Sequence, residues 1–248
     1  MKLHILGSGT CIPYDRRGSS GYALKLSKSI ILLDCGNGTT WKLGKVGINY
    51  LEIDHIFITH FHPDHTSDLI PFLFATKYAH ASERNKPLSI WGPKGFKGFF
   101  SALRGAYKDW IVPEILNICE VEEGRMEFDD FMLASAQTHH TENSLAYRIE
   151  SEGISLTYTG DTEYSETLVN FSMYTDALLI ECSTPDELKV KGHTTPSEII
   201  KIANKSMAKK IIITHLYPIC DNTNISELIR KEVDAEVIVA EDLLEIEI

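Results

Sequence analysis

Thr59-His60-Phe61-His62-Pro63-Asp64-His65 is the stretch whose reading decides the fold of this chain. Four potential metal ligands follow directly on the apolar run His55-Ile56-Phe57-Ile58, which reads as a buried strand. Side chains of an extended segment alternate, so His60 and His62 project from the same side. Pro63 stops the extension, and Asp64-His65 open the next element, read as a helix continuing through Leu69-Ile70-Pro71-Phe72-Leu73. The spacing favours two clusters: His60 and His62 on one metal, Asp64 and His65 on a second beside it. Imidazole nitrogens with carboxylate oxygens suit zinc best, with manganese or iron as the alternatives. A lone histidine here would read as a surface residue in a turn, but an H-x-H-x-D-H packing reads as a metal site.

With 248 residues, 43% of them hydrophobic, the chain has enough apolar material for a sizeable core. No internal repeat, low-complexity tract or Pro/Gly/Ser-rich linker divides it, so residues 1–248 read as a single domain. Met1 to Gly7 lacks the charged and then apolar regions of a secretory leader, and no run reaches the length of a membrane span. The expectation is a cytoplasmic protein without a membrane partner. Cys11, Cys35, Cys119, Cys182 and Cys220 are scattered, with no C-x-x-C, and read as reduced core or near-site residues. The formal net charge of −11 lacks the basic excess by which proteins usually bind long nucleic acid. Long nucleic acid is therefore disfavoured as a partner, although metals and a local patch can still hold one phosphate.

The opening motif resembles the signature of the metallo-β-lactamase superfamily of binuclear metal hydrolases. That resemblance implies further ligands downstream, in a set order. Thr138-His139-His140-Thr141-Glu142-Asn143-Ser144-Leu145-Ala146-Tyr147 offers two competing histidines. The superfamily spacing to Ser144 and to Ala146-Tyr147 selects His140 and turns His139 away. The strand Ser155-Leu156-Thr157-Tyr158-Thr159 delivers Gly160-Asp161-Thr162, and a carboxylate at a strand end can bridge two cations because each oxygen takes one. Lys209-Lys210-Ile211-Ile212-Ile213-Thr214 ends on His215. By the resemblance, His60, His62 and His140 hold one metal, Asp64, His65 and His215 hold the other, and Asp161 bridges them. The implied fold is α/β, the four-layer αβ/βα sandwich: two mixed β-sheets face to face, helices outside, and the metals at one edge. Asp34, at the end of the strand Ile30-Ile31-Leu32-Leu33, matches an acid that supports the ligands from behind. A carboxylate in that place fixes the tautomer of a ligating histidine and raises its basicity.

Within the superfamily the chain is similar to the ribonuclease Z branch. Gly7-Ser8-Gly9, Pro13 and Arg17 resemble its N-terminal loop; Arg16 and Arg17 read either as contacts to an anionic substrate or as solvated loop residues. His4 reads as structural and His80 as solvated. His193, in Gly192-His193-Thr194-Thr195, resembles the histidine that ribonuclease Z-like enzymes place opposite the metals to protonate the leaving oxygen, and Glu181 the carboxylate that orients it. Thr195, Pro196 and Glu198 carry a helix-start pattern, which would hold His193 in the loop just before a helix. The candidate catalytic residues are therefore Asp64, His193 and Glu181. Two cations about 3.5–4 Å apart make hydroxide available near neutral pH and clamp substrate oxygens. That chemistry suits phosphodiesters, esters, thioesters and lactones alike. An alkoxide leaving group needs an acid worth roughly 10²–10⁴-fold, and His193 tips the reading to a phosphodiesterase that uses a metal-bridging hydroxide.

The departures narrow this expectation. Arg148-Ile149 runs almost at once into the turn Glu150-Ser151-Glu152-Gly153, where ribonuclease Z proper carries a long insertion there or elsewhere. The branch's Glu-Ala-Thr stands as Glu181-Cys182-Ser183, and its Arg-Asn as Arg17-Gly18. Together with the negative charge, these favour a small phosphodiester (a cyclic nucleotide, a cyclic ribose phosphate or a short oligonucleotide) over transfer RNA 3′ processing. The rival reading is hydrolysis of a thioester, lactone or sulfate ester on the same metals, for which His193 would be nearly dispensable. A diiron redox protein would alter His62 or His65, and a non-enzymatic sensor would lose a ligand; the motif keeps them all. Ribonuclease Z-like proteins are often dimers, so a homodimer is the oligomeric state that the resemblance carries over.

Overall fold

The computed structural model describes residues 1–79 and 84–248, so His80 lies outside the described residues. β1 (Lys2–Gly7), β2 (Gly21–Lys25) and β3 (Ile30–Leu33) form an antiparallel meander. The connections then become crossovers. α1 (Thr39–Lys45) leads to β4 (His55–Phe57), α2 (Pro63–Thr66) and α3 (Leu69–Lys77) to β5 (Leu88–Pro93), and α4 (Phe96–Tyr107) to β6 (Leu116–Val121). Each of these strands runs parallel to the one before it. The second half repeats the plan. β7 (Gly124–Glu127), β8 (Met132–Gln137), β9 (Leu145–Ser151) and β10 (Ile154–Tyr158) meander antiparallel. α5 (Glu166–Phe171), α6 (Pro196–Ser206) and α7 (Ile225–Arg230) then alternate with the parallel strands β11 (Ala177–Glu181), β12 (Lys210–Thr214) and β13 (Glu236–Val239). β14 (Glu245–Glu247) returns to pair with β1.

Two seven-stranded mixed sheets result, ordered β14-β1-β2-β3-β4-β5-β6 and β13-β12-β11-β10-β9-β8-β7. The central parallel strands are buried on both faces, which is why they read as unbroken apolar runs. In β11, Ala177 and Leu179 face the layer between the sheets, where they join Leu24, Phe57, Tyr147 and Ile212. Leu178 and Ile180 face outward, against Ile199 and Ile202 of α6 and Ile229 of α7. The other sheet does the same, with Leu32 and Ile56 against Phe72 of α3 and Phe96 of α4. Three apolar layers thus cement four layers of structure, the αβ/βα sandwich. Among the described residues, no helix is long and apolar enough to cross a membrane.

One local expectation changes. The helix read from Asp64 onward breaks into α2 and α3, because Asp68 turns its carboxylate to the start of α1, accepting from the backbone N–H groups of Gly38 at 3.1 Å and Thr40 at 2.7 Å. The last two strands, β13 and β14, lie in different sheets. After β13 the chain crosses to the first sheet, where Leu243 N–H donates to the Ile5 carbonyl at 2.7 Å. The Thr195–Glu198 capping box is present, with Pro196 in the first turn of α6.

Candidate metal centre

The carboxyl ends of the parallel strands meet at one edge of the sandwich, where α/β sheets commonly place their ligands. Asp34 follows β3, His60 and His62 follow β4, Asp161 follows β10, Glu181 ends β11, and His215 follows β12. Gly160 lets the two sheets close there. It sits at φ +56°, and a Cβ on it would lie 2.8 Å from the Thr59 Cβ of the facing sheet. Asp34 and His215 also hold positive φ, 55° and 54°. Such strain in non-glycine residues is tolerated where surrounding contacts over-determine the backbone.

Asp161 divides the cluster. Its Oδ2 lies 3.6 Å from His60 Nε2 and 3.6 Å from His140 Nε2, while its Oδ1 lies 3.4 Å from both His65 Nε2 and His215 Nε2. His62 Nδ1 approaches His140 Nε2 at 3.1 Å, and Asp64 Oδ2 lies 3.5 Å from His215 Nε2. One group is therefore His60, His62, His140 and Asp161, the other Asp64, His65 and His215 beside Asp161. Among the described residues, His60 Nε2, His65 Nε2, His215 Nε2 and Asp161 Oδ1 are buried without a hydrogen-bond partner. Four orphaned polar atoms converging on so small a volume would cost several kcal/mol if nothing met them. Divalent cations fit these donors, a mixed imidazole and carboxylate set.

The far sides of the rings fix which nitrogen faces inward. His65 Nδ1 donates to Asp34 Oδ2 at 2.7 Å, and His140 Nδ1 to the Gly192 carbonyl at 2.8 Å. Thr59 Oγ1 donates to Asp34 and so accepts from His60 Nδ1 at 3.0 Å. Ser183 Oγ donates to Glu181 Oε2 at 2.7 Å and so accepts from His215 Nδ1 at 3.1 Å. With Nδ1 protonated in all four, each Nε2 lone pair points at the cluster, the tautomer that ligation needs. Asp34 also accepts from Thr59 N–H at 2.7 Å and Tyr158 Oη–H at 2.7 Å, so its buried charge is dispersed over several donors.

Beside the cluster, His193 is buried, with Nδ1 3.1 Å from Glu181 Oε1 and 3.0 Å from Ser183 Oγ. Its Nε2 has no hydrogen bond among the described residues. Burial lowers its pKa, but the Glu181 carboxylate outweighs burial and raises it. Burial alone would raise Asp161, yet His215 and His65 hold it well below the usual carboxylate range. Burial pushes His60 and His140 down, which favours their neutral form.

Arg17 falls to neither reading, whereas Arg16 is an exposed loop residue. Arg17 is 4% exposed and gives two guanidinium nitrogens to Asp221, at 2.7 and 3.1 Å, and a third to Ser8 Oγ at 2.9 Å and the Ala240 carbonyl. Arg16 is exposed, 3.6 Å from the same Asp221. His139 is exposed and stays outside the cluster that takes His140. His4 is buried, 3.6 Å from Glu245. Of the free cysteines, Cys35, Cys182 and Cys220 are buried and Cys11 is exposed. The residue that sequence reasoning missed is Ser183, which joins His193, Glu181 and His215. Its signal was present: Ser183 lies two residues after Glu181 in extended chain, on the same side.

A family model described as anti-Pycsar protein Apyc1 matches residues 1–232. Ribonuclease Z of Prochlorococcus marinus (strain MIT 9301) is 30% identical, over 90% of this chain and 90% of that protein. Among solved structures, the metallo-β-lactamase fold protein YhfI from Bacillus subtilis superposes with a TM-score of 0.87 at 22% identity, covering 99% of this chain and 98% of that one. Human tRNase Z, short form, superposes at 0.81 and 24% identity, covering 100% and 99%. At those identities the superpositions speak for the fold. The named relatives overturn one expectation: long nucleic acid is not disfavoured as a partner, since a protein 30% identical along 90% of this chain is called ribonuclease Z. The inference failed because a net charge averages over the whole surface. Phosphate binding depends on local contacts, and bound cations would offset Asp64 and Asp161 where a phosphate sits.

Proposed function

The chain belongs to the anti-Pycsar protein Apyc1 family and, with its ribonuclease Z relatives, to the metal-dependent hydrolases of the metallo-β-lactamase fold, and from that premise we propose how it cleaves a phosphodiester. His60, His62 and His140 hold one divalent cation, Asp64, His65 and His215 hold a second, and Asp161 serves both. Zinc is the cation the donor set suits best. What supports this reading above all is the division of the Asp161 carboxylate, one oxygen toward each histidine group, with unpartnered Nε2 atoms on both sides. When bound, the cations would supply Lewis acidity and an activated water.

The protein's own groups do the rest. His193 carries a proton on Nε2 and delivers it to the leaving oxygen. Glu181, at 3.1 Å from Nδ1, favours the protonated ring and fixes its plane. Ser183 ties that pair to His215, so the acid and the metal cluster keep one geometry. Asp64 binds metal and stays ionised: burial opposes this, but His215 and His65 draw its pKa down.

The test uses two phosphodiesters, one with an aryl and one with an alkyl leaving group, and protein loaded with zinc or manganese. His193→Ala should cut alkyl turnover by roughly 10²–10⁴-fold and aryl turnover far less, since a good leaving group needs little protonation. Equal losses on both would remove His193 from the acid role. No turnover of either by wild-type protein of verified metal content would move the substrate to a carboxylic ester or thioester.

A further inference from the structure

Between Glu181, which ends β11, and Pro196, which begins α6, the chain brings His193 back to the cluster. The last turn of that segment is fixed at three points. His193 N–H donates to the Val190 carbonyl at 3.3 Å, Gly192 N–H donates to Glu163 Oε1 at 2.7 Å, and the Gly192 carbonyl accepts from His140 Nδ1 at 2.8 Å. Gly192 holds φ +87°, and a Cβ on it would lie 2.8 Å from His140 Nδ1, so the turn presses directly on a proposed ligand. Lys191 occupies the exposed corner of this turn. Two peptide steps separate it from His193, which keeps the two Cα atoms within about 8 Å of each other. Neighbouring cations are taken: Arg17 is buried against Asp221, Lys42 lies 2.6 Å from Asp242, and Lys189 pairs with Glu198 of α6. Lys191 forms no ion pair or hydrogen bond among the described residues. Even Glu163, the carboxylate that meets the same turn, is engaged by the Gly192 N–H instead.

In a chain of net charge −11, a free ammonium on the rim of a cluster that includes Asp64 and Asp161 marks a place for an anion. Which anion follows from the neighbour. With the scissile phosphate at the metals, its leaving oxygen faces His193, and whatever continues beyond that oxygen lies on the side that Lys191 borders. The scissile phosphate itself is served by the cations, so the ammonium is left for the next charge along the chain. We infer that Lys191 binds a second phosphate of the substrate, carried by the part that departs as an alcohol, so that the site favours a nucleic-acid chain over a diester with a single phosphate. Lysine suits that task, because a compact charge on a flexible stem meets a phosphate without demanding one geometry. A contact of this kind sets position on the chain and is indifferent to base sequence. The inference rests on the phosphodiesterase reading for the place of the scissile phosphate and the role of His193.

The test compares a dinucleoside monophosphate with the same compound bearing a further phosphate at its 5′ end or at its 3′ end, all cleaved by zinc-loaded protein. The products show which nucleoside departs as the alcohol. A phosphate on that nucleoside should lower KM by roughly threefold to tenfold, and the gain should shrink as salt is added. Lys191→Ala should abolish the gain and flatten the dependence of log KM on log salt by about 0.7–1. Lys191→Arg should keep both, and so should Lys189→Ala, which removes an equal charge from the same loop. A merely structural role for Lys191 would move KM for all the compounds alike. That outcome, a gain that survives Lys191→Ala, or no gain in the wild type overturns the assignment, while cleavage of the unphosphorylated compound leaves the phosphodiesterase reading standing. Failure to cleave any of them overturns the assignment too, and the aryl and alkyl turnover assay then judges the phosphodiesterase reading separately.

Discussion

Asp34 illustrates how a residue that touches no substrate can govern this site. It is fully buried, yet it accepts from His65, Thr59 and Tyr158, and it holds the inward-facing tautomer of one proposed ligand directly and of His60 through Thr59. Asp34→Asn keeps the shape but removes the charge that polarises His65. Metal affinity should fall roughly 10–100-fold, read by competition against a chromogenic chelator, with the far-ultraviolet spectrum unchanged. Unaltered affinity would reduce Asp34 to a packing role. A second prediction belongs to His55, which sits away from the cluster, ringed by Phe57, Phe128 and Phe131 and accepting from Trp91 Nε1 at 3.2 Å. Burial lowers its pKa below 6.5, so below about that pH the unfolded chain binds the proton more readily than the folded one. Stability contributed by neutral His55 is therefore present above pH 6.5 and lost as the pH falls. His55→Asn keeps an acceptor for Trp91 and removes the titration. Its denaturation midpoint should fall less between pH 7.5 and 5.5 than that of the wild type.

At the scale of elements, the loop between β1 and β2 depends on tight backbone contact and a buried ion pair. A Cβ on Gly7 would lie 1.8 Å from the Ser19 carbonyl oxygen, so the loop closes only over glycine. The Arg17–Asp221 pair then ties it to the segment after β12, with side chains 4% and 7% exposed. Asp221→Ala leaves a buried guanidinium unpaired and should destabilise the protein by about 3 kcal/mol or more, whereas Arg17→Met with Asp221→Leu should recover most of that loss. Denaturant midpoints of the two variants decide it; an equal loss in both would mean that packing, not charge, holds the loop. This is also where the sequence was least legible. Arg17 and Asp221 lie 204 positions apart, and no local pattern announces that they meet. The proposed ligands were legible in part from the opening motif, where period two brings His60 and His62 to one side, and in part from the resemblance, which supplied His140, Asp161 and His215 at or after the ends of apolar strands. Ser183 carried the same period-two signal beside Glu181, but its link to His215 is a tertiary contact. The break between α2 and α3 was hidden for a similar reason, since Asp68 answers to α1 rather than to its own helix.

For the whole molecule, the proposed metals join the two halves of the sandwich. His60, His62, Asp64 and His65 come from the half that carries the first sheet, and His140, Asp161 and His215 from the half that carries the second. Without cations, the unpartnered Nε2 atoms of His60, His65 and His215 and the Oδ1 of Asp161 are desolvated for nothing. Stability should thus depend on metal by mass action, about 2.7 kcal/mol per site at a free concentration a hundred times the dissociation constant. For a chain of this length, each kcal/mol moves the melting temperature by about 2–4 °C. Chelation should accordingly lower melting by about 5–10 °C for each cation lost, and added zinc should restore it. His62→Ala offers a control, because His62 is exposed and its truncation opens no buried cavity. That variant should melt near the wild type when both are chelated, but gain less from zinc. If chelated protein, with its metal loss verified, melts where the loaded protein does, the converging nitrogens are satisfied some other way and the two-cation assignment fails. If the shift is intact in His62→Ala, the cation beside His60 and His140 is held without His62, and the first cluster must be redrawn around three residues.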